Sequence, residues 1–169
     1  VVNDKPLKLE GSNRHQEYPY VGNAISDQAQ YRDMYQIRDN GFNTVRLGHY
    51  PQDPSVLEAC DELGLLVIEP IPGWQFFNKA QGFVDHTYKD IRDLIRRDRN
   101  HPSVFMWSIG NEVLEQWSDA KADTLSLEEA NLILNFGHSS DMLAREGEES
   151  VNSLLTKKLV DFVKELDAP

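Results

Sequence analysis

The sequence predicts an α/β fold in which four parallel strands alternate with helices, as in about half of a (β/α)₈ barrel. Four short strand-like segments are each followed by a stretch with helical spacing, and this alternation is typical of parallel strands joined by right-handed crossovers. Polar residues follow the ends of these strands, where such barrels carry their functional groups. No Gly-x-Gly-x-x-Gly or Gly-x-x-x-x-Gly-Lys loop follows a strand, which disfavours a nucleotide-binding sheet.

The first unit is defined by turn and capping residues. Residues 1–11 predict a hairpin with Asn3-Asp4 in the turn and a second arm that runs to Gly11. Residues 12–20 predict a polar loop. Ser26 is the expected N-cap of a helix that ends at Asn40-Gly41, because Gly favours the left-handed stop position.

The second and third units follow the same pattern. FNTVRL (42–47) and LLVIEPI (65–71) predict strands, since they are short, apolar and rich in β-branched residues. Asp53-Pro54 predicts the start of the second helix, which should stop at Gly64. The third helix is expected over 85–99, with one apolar stripe formed by Tyr88, Ile91, Leu94 and Ile95.

The fourth unit is interrupted. HPSVFMWSIG (101–110) predicts a strand, and 151–166 predicts a helix with regularly spaced apolar residues. Between them, Ser126 and Glu129 have the spacing of a capping box and predict a further helical stretch.

Composition excludes several classes of partner. The 169 residues carry a net charge of −11, which argues against nucleic acid and against an anionic membrane surface. No apolar run approaches the roughly 20 residues that a membrane helix needs. Cys60 is the only cysteine, so no internal disulfide can form, and a buried structural thiol is expected. No cofactor is expected.

The motifs GSNRHQEYP (11–19), FNTVRLGHYP (42–51), CDELGLLVIEPIPG (60–73) and RDRNHPSVFMWSIGNE (97–112) occur in this order. Together they resemble the catalytic TIM barrel of family 2 glycoside hydrolases, the β-galactosidase and β-glucuronidase group. The resemblance implies a retaining mechanism, in which one carboxylic acid protonates the glycosidic oxygen and a second carboxylate attacks the anomeric carbon. Galactoside, glucuronide and mannoside specificity all remain open.

The resemblance implies roles for the residues after the fourth strand. Glu112 corresponds to the family's acid/base, and Asn111 to the residue that hydrogen-bonds the sugar 2-hydroxyl. Ser108 and Gly110 are small and would leave room for the sugar. A lone Asn-Glu pair could equally be the cap of a following helix.

Further substrate-binding residues are implied with a structural alternative for each. His49 matches a family residue that binds sugar hydroxyls, and Arg46 is expected to point into the barrel and keep the nucleophile ionised. His15 and Asn13 lie on the segment that reaches the sugar. Trp74 is either an aromatic platform for a sugar ring or a packing residue.

At two further positions of the motifs the resemblance does not predict a site residue. Many family members have an acidic pair after the third strand, whereas this chain has Glu69 followed by Pro70. No metal site is therefore expected. His101 precedes the fourth strand and should lie at the opposite end of the barrel, where residues serve stability.

The whole chain, 1–169, is expected to be the N-terminal half of a barrel domain: 1–113 matches the motifs, 114–149 is a variable insertion and 150–169 is the fourth barrel helix. The family's nucleophile follows a seventh strand, so the piece should be inactive alone. The expected partners are a β-galactoside-like carbohydrate, the remaining barrel half and β-sandwich domains. Because Met106 and the strand edges would face water, a homodimer is expected. The alternative is a non-catalytic carbohydrate-binding or self-assembling half-barrel module.

Overall fold

The structure, a computed structural model, describes residues 2–72, 80–111 and 151–167, with the side chains of the last segment from Leu155 onward. Strands and helices alternate along these residues as the sequence predicts. In chain order they are β1 (Gly11–Arg14), α1 (Asp27–Asp39), β2 (Thr44–Leu47), α2 (Pro54–Leu63), β3 (Leu66–Pro70), α3 (Gln81–Asp98), β4 (Val104–Ser108) and α4 (Val151–Leu166).

The four strands form one parallel sheet in the order β1-β2-β3-β4. Each strand pairs with the next along the chain, and a helix lies between each consecutive pair, as in a barrel wall. The predicted fold class, a partial (β/α)₈ barrel, is confirmed. All carboxyl ends of the strands therefore lie at one edge of the sheet.

The caps of α1 and α2 form where local sequence predicts them. The Ser26 side chain accepts a hydrogen bond from the Ala29 amide, and Gly41 adopts a φ of +89° just beyond the helix. Asp53 caps α2 by accepting from the Ser55 amide, with Pro54 in the first turn. Gly64 closes α2 at a φ of +69°, a conformation that glycine adopts without steric cost.

Two clusters of buried side chains hold the helices on the sheet. The first joins β2 and β3 to α1 and α2 and includes Met34, Val45, Leu57 and the thiol-bearing Cys60. Burial raises the pKa of the Cys60 thiol to about 12, so the side chain is a buried neutral group, as expected. The second cluster packs α3 against α4.

The second cluster confirms the apolar stripe predicted for α3. Ile91, Leu94 and Ile95 are buried in it, and Leu159 of α4 is 0% exposed. The Trp107 indole donates a hydrogen bond to Asp167 over 2.7 Å, which ties β4 to the end of α4. The predicted helix over 151–166 is thus present and packs on the third helix.

The prediction for the first strand is wrong in position. The hairpin is reduced to one bridge between Val2 and Lys5. The strand that enters the sheet is β1, which begins at Gly11, the expected end of the second arm, and runs into the segment expected to be a loop. Arg14 is the buried residue of this strand, and its two terminal guanidinium nitrogens donate to Gln30, Asp33 and Gln52. Because the buried position carries a charge, β1 has no hydrophobic pattern to reveal it.

Two further predictions differ from the structure or fall outside it. The third helix begins at Gln81, four residues before the predicted start, and has no side-chain N-cap bond. The predicted helical stretch from Ser126 and the whole of 114–149 lie outside the described residues. In the part of the chain that is described, no helix has the length and apolarity to cross a membrane.

The sheet has one face turned away from the helices. Register places Asn13, Arg46, Ile68 and Met106 in one row across the four strands. Met106 is 48% exposed and its neighbour Phe105 is 37% exposed, as expected for a sheet face that other elements would cover in a closed barrel.

Candidate active site

Three of the predicted site residues form one hydrogen-bonded group at the carboxyl edge of the sheet. Arg46 lies near the end of β2, His49 follows that strand, and Asn111 follows β4. The Arg46 guanidinium contacts both of the others: Nη1 lies 3.2 Å from His49 Nδ1, and Nη2 donates to Asn111 Oδ1 over 2.9 Å. One side chain thus links the ends of two strands that are not neighbours.

The chemistry of Arg46 fixes how its two partners are oriented. A guanidinium can only donate hydrogen bonds, so the ring atom of His49 that faces it must be an acceptor. Neutral His49 therefore carries its proton on Nε2. By the same argument Asn111 turns its amide oxygen to Arg46, and its NH₂ group points elsewhere. Both partners present N–H donors, the groups that bind hydroxyl oxygens.

His49 is held in an unusual backbone conformation. Its φ is +52°, in the left-handed region, which costs a residue with a β-carbon about 1–2 kcal/mol. Such strain persists only where surrounding contacts fix the residue, and it is concentrated at functional sites. The bond to Arg46 is one of those contacts.

His15 lies beside His49. The two imidazole rings meet edge to face, with their centroids 5.3 Å apart, and the Tyr50 ring lies 6.1 Å from His15 on another side. The Gln16 amide donates to the Tyr50 hydroxyl over 2.9 Å, and the Gln16 side chain accepts from the Asp53 amide. The loops after β1 and β2 are thus bonded together around the two histidines.

Tyr50 and Gln16 were not selected from the sequence as site residues. The adjacency of Tyr50 to His49 in the motif was the only available signal. The bond between Gln16 and Tyr50 depends on the parallel pairing of β1 with β2, which no local pattern specifies.

Asn13 lies on the same sheet but takes no part in these bonds. It is paired with Arg46 across β1 and β2, and it is exposed. Together with His15 it lines an open groove of about 530 Å³ between β1 and α1, which also contacts Asp33 and Phe42. β1 is an edge strand, with no strand partner on its other side among the described residues.

Glu69, at the end of β3, is separated from this group. Glu69 is two residues after Val67, so both side chains point to the same face of the sheet, the face covered by the helices. Both are 0% exposed. Neither carboxylate oxygen has a hydrogen-bond partner among the described residues, and the Arg97 guanidinium lies 3.7 Å from the carboxylate. Burial, and then the nearby Asp98 carboxylate, raise the pKa of Glu69 to about 8.

Three other residues named in the sequence analysis either have a structural partner or lie outside the described residues. His101 lies before β4 and pairs with Asp61 at 2.6 Å, at the opposite end of the sheet from the site. Glu112 and Trp74 lie outside the described residues. Across 2–72, 80–111 and 151–167, no group of three or more potential metal-ligating side chains comes together.

Comparison with known families gives one strong match. The family described as "Glycosyl hydrolases family 2, TIM barrel domain" matches residues 1–133 of this chain. These residues contain all four strands and every residue of the site described above.

Individual relatives agree with the family match. The chain is 54% identical to β-galactosidase BoGH2A of Bacteroides ovatus over 172 aligned residues, which cover 99% of this chain and 20% of that protein. It is 47% identical to a β-galactosidase of Thermoanaerobacter pseudethanolicus over 68% of this chain and 16% of that protein. The chain thus spans about a fifth of the length of such relatives.

A solved structure has the same fold. The crystal structure of Bacteroides uniformis β-glucuronidase superposes with a TM-score of 0.74 at 32% identity, and the match covers 98% of this chain and 18% of that one. The partial barrel described here therefore corresponds to a contiguous part of a larger glycosidase.

Proposed function

The chain belongs to glycosyl hydrolase family 2, and from that premise we propose that it supplies the first half of the catalytic barrel of a retaining β-galactosidase-like enzyme. Its contribution to the reaction is the proton donor and part of the sugar-binding surface. The second carboxylate of the double displacement comes from the other half of the barrel.

The observation that carries the proposal is the Arg46 bridge between His49 and Asn111. Arg46 holds two polar side chains from different strand ends in fixed orientations, which is what a surface that binds sugar hydroxyl groups requires. Asn111 directly precedes Glu112, the proposed proton donor, in the sequence.

In the proposed reaction Glu112 protonates the glycosidic oxygen as the bond to the anomeric carbon breaks. It then removes a proton from the water that releases the sugar from the second carboxylate. The NH₂ group of Asn111 donates to the sugar 2-hydroxyl, and His49 and His15 bind neighbouring hydroxyl groups. The positive charge of Arg46 also favours the ionised form of the attacking carboxylate. Asn13 and Trp74 complete the proposed sugar contacts.

The partners of the chain follow from the same proposal. The exposed sheet face around Met106 and the open edge of β1 would meet the remaining half of the barrel, with β-sandwich domains elsewhere in the whole enzyme. In isolation the same surfaces favour association of two copies of the chain.

The substrate is proposed to be a β-galactoside because two relatives that are 54% and 47% identical to this chain are β-galactosidases. The solved β-glucuronidase is less similar, at 32% identity. A glucuronide carries a carboxylate at carbon 6 where a galactoside carries a hydroxymethyl group, so the two substrates differ in charge.

The test uses the full-length protein that contains this chain. Aryl β-galactoside and aryl β-glucuronide are compared at equal concentration, and the first-formed sugar is followed by proton NMR. The proposal predicts faster cleavage of the galactoside and release of the β-anomer before mutarotation. Binding of the galactoside without cleavage would instead favour the non-catalytic module, and release of the α-anomer would exclude the retaining mechanism.

A further inference from the structure

The space beside Gly48 is occupied by the His15 imidazole. A β-carbon at position 48 would lie 2.7 Å from His15 Nε2 and 2.9 Å from the two adjacent ring carbons. Contacts this short do not occur for real β-carbons, so a side chain at this position would displace the ring. Gly48 has no positive φ, so the backbone itself would accept an L-residue. The three atoms nearest to that β-carbon all belong to His15.

The residues on both sides of His15 are bonded to the loop that contains Gly48. The carbonyl of Arg14 accepts from the Gly48 amide over 2.7 Å, and the amide of Gln16 donates to the Tyr50 hydroxyl over 2.9 Å. His15 therefore has a fixed backbone, and its ring is bounded by Gly48, His49 and Tyr50.

His15 is an exposed residue, so its ring has room to turn toward solvent. A methyl group at position 48 would therefore move the ring and would cost little folding free energy, since a side-chain rotation relieves the contact. A substitution at position 48 can therefore change where the His15 ring lies without changing the stability of the fold.

We infer that Gly48 is a positioning residue. Because it has no β-carbon, the His15 imidazole can lie against it, and this sets the place of that ring next to His49. The inference rests on the proposed function for its kinetic consequence, because it takes His15 to bind a sugar hydroxyl. Its geometric content does not depend on any activity.

The experiment is a double-mutant cycle in the full-length protein with Gly48→Ala, His15→Ala and the double variant. Gly82→Ala is the matched control, because a β-carbon there has no neighbour within 4 Å and the backbone is not at positive φ. A misplacement of about 1 Å at a reacting site can cost up to about 100-fold in rate. We expect kcat/KM for the galactoside to fall about 10- to 100-fold in Gly48→Ala, with a rise in KM and an unchanged melting temperature.

In the His15→Ala background, Gly48→Ala should lower kcat/KM less than about twofold, because the side chain through which Gly48 acts is then absent. A loss that is as large with His15 absent as with it present would overturn the inference. So would a fall in kcat and melting temperature at constant KM, which indicates a merely structural role.

A crystal structure of the Gly48→Ala variant keeps the test independent of the proposed function. The inference predicts that the His15 and His49 ring centroids are no longer 5.3 Å apart. If the ring stays in place, the inference is wrong even in an active enzyme. If the ring moves in a protein that cleaves no glycoside, the proposed function fails and the positioning role stands.

Discussion

Replacement of Glu69 by Gln should stabilise the fold at neutral pH. The carboxyl group is 0% exposed, and neither oxygen has a hydrogen-bond partner among the described residues. Arg97 offers little compensation, because its Nε and Nη2 atoms both bond to Asp98 at 2.7 Å, while Glu69 is 3.7 Å away. A neutral amide of the same shape removes the ionisation without leaving a cavity.

The magnitude follows from the rise in the pKa of Glu69 from 4.5 to about 8 on folding. Above pH 4.5 the unfolded chain loses the proton that the folded chain still holds, so this raised pKa costs stability as pH rises. Each pKa unit is worth about 1.4 kcal/mol, which gives a cost of about 3 kcal/mol at pH 7. The cost is absent below pH 4.5 and stops growing above about pH 8.

The assay is unfolding by denaturant of wild type and Glu69→Gln at pH 5, 6, 7 and 8, at one protein concentration. The difference in the free energy of unfolding should increase with pH in favour of the variant. Glu58→Gln, on the exposed side of α2, is the matched control and should show no such trend. A constant difference between pH 5 and pH 8 would refute the argument, because Glu69 would then titrate alike in both states.

Three other outcomes are expected. Leu159→Ala should lower the free energy of unfolding by about 2–5 kcal/mol, since its side chain is 0% exposed between α3 and α4, whereas Lys158→Ala should change it little. The purified 169-residue chain should show no glycosidase activity, because the proposal assigns the second carboxylate to the other half of the barrel, and measurable turnover would refute this. Light scattering of the same chain should give at least twice the monomer mass, and a monomer at micromolar concentration would contradict the exposed-sheet argument.

Local sequence signals predicted the helices well. Ser26 and Asp53 cap α1 and α2 because capping depends on hydrogen bonds within a few residues. The start of α3 was placed four residues late, since Ala80 precedes it and provides no side-chain cap. Where the caps are absent, the sequence carries no sharp signal for a boundary.

The strands show where sequence reasoning stops. β1 was placed too early because its buried residue, Arg14, is charged and finds its partners only in the folded chain. The residues on both sides of Glu69 are apolar, Val67-Ile68 before it and Pro70-Ile71 after it. The alternation of apolar and polar residues therefore does not reveal which face of the sheet Glu69 occupies.

The sequence predicted where in the sheet the candidate site residues lie, but it did not predict which side chains contact each other. That His49, Arg46 and Asn111 share one edge follows from the parallel order of the strands. That Arg46 bonds to both of the others, and that His15 fills the space beside Gly48, depends on strand register and on side-chain rotamers. Those features have no counterpart in a linear pattern.

The most direct test of the proposed role of the chain is Glu112→Gln in the full-length protein, measured on a series of galactosides with different leaving groups. A positioned general acid is worth about 100- to 10,000-fold, and a poor leaving group depends on it most. The rate of the variant should fall by a factor of this size with an alkyl galactoside. With a dinitrophenyl galactoside, the rate of the first step should fall far less. The control Glu58→Gln should behave as wild type on both substrates. An equal loss on both substrates, or turnover of the alkyl galactoside within a few-fold of wild type, would contradict the assignment of Glu112 as the proton donor.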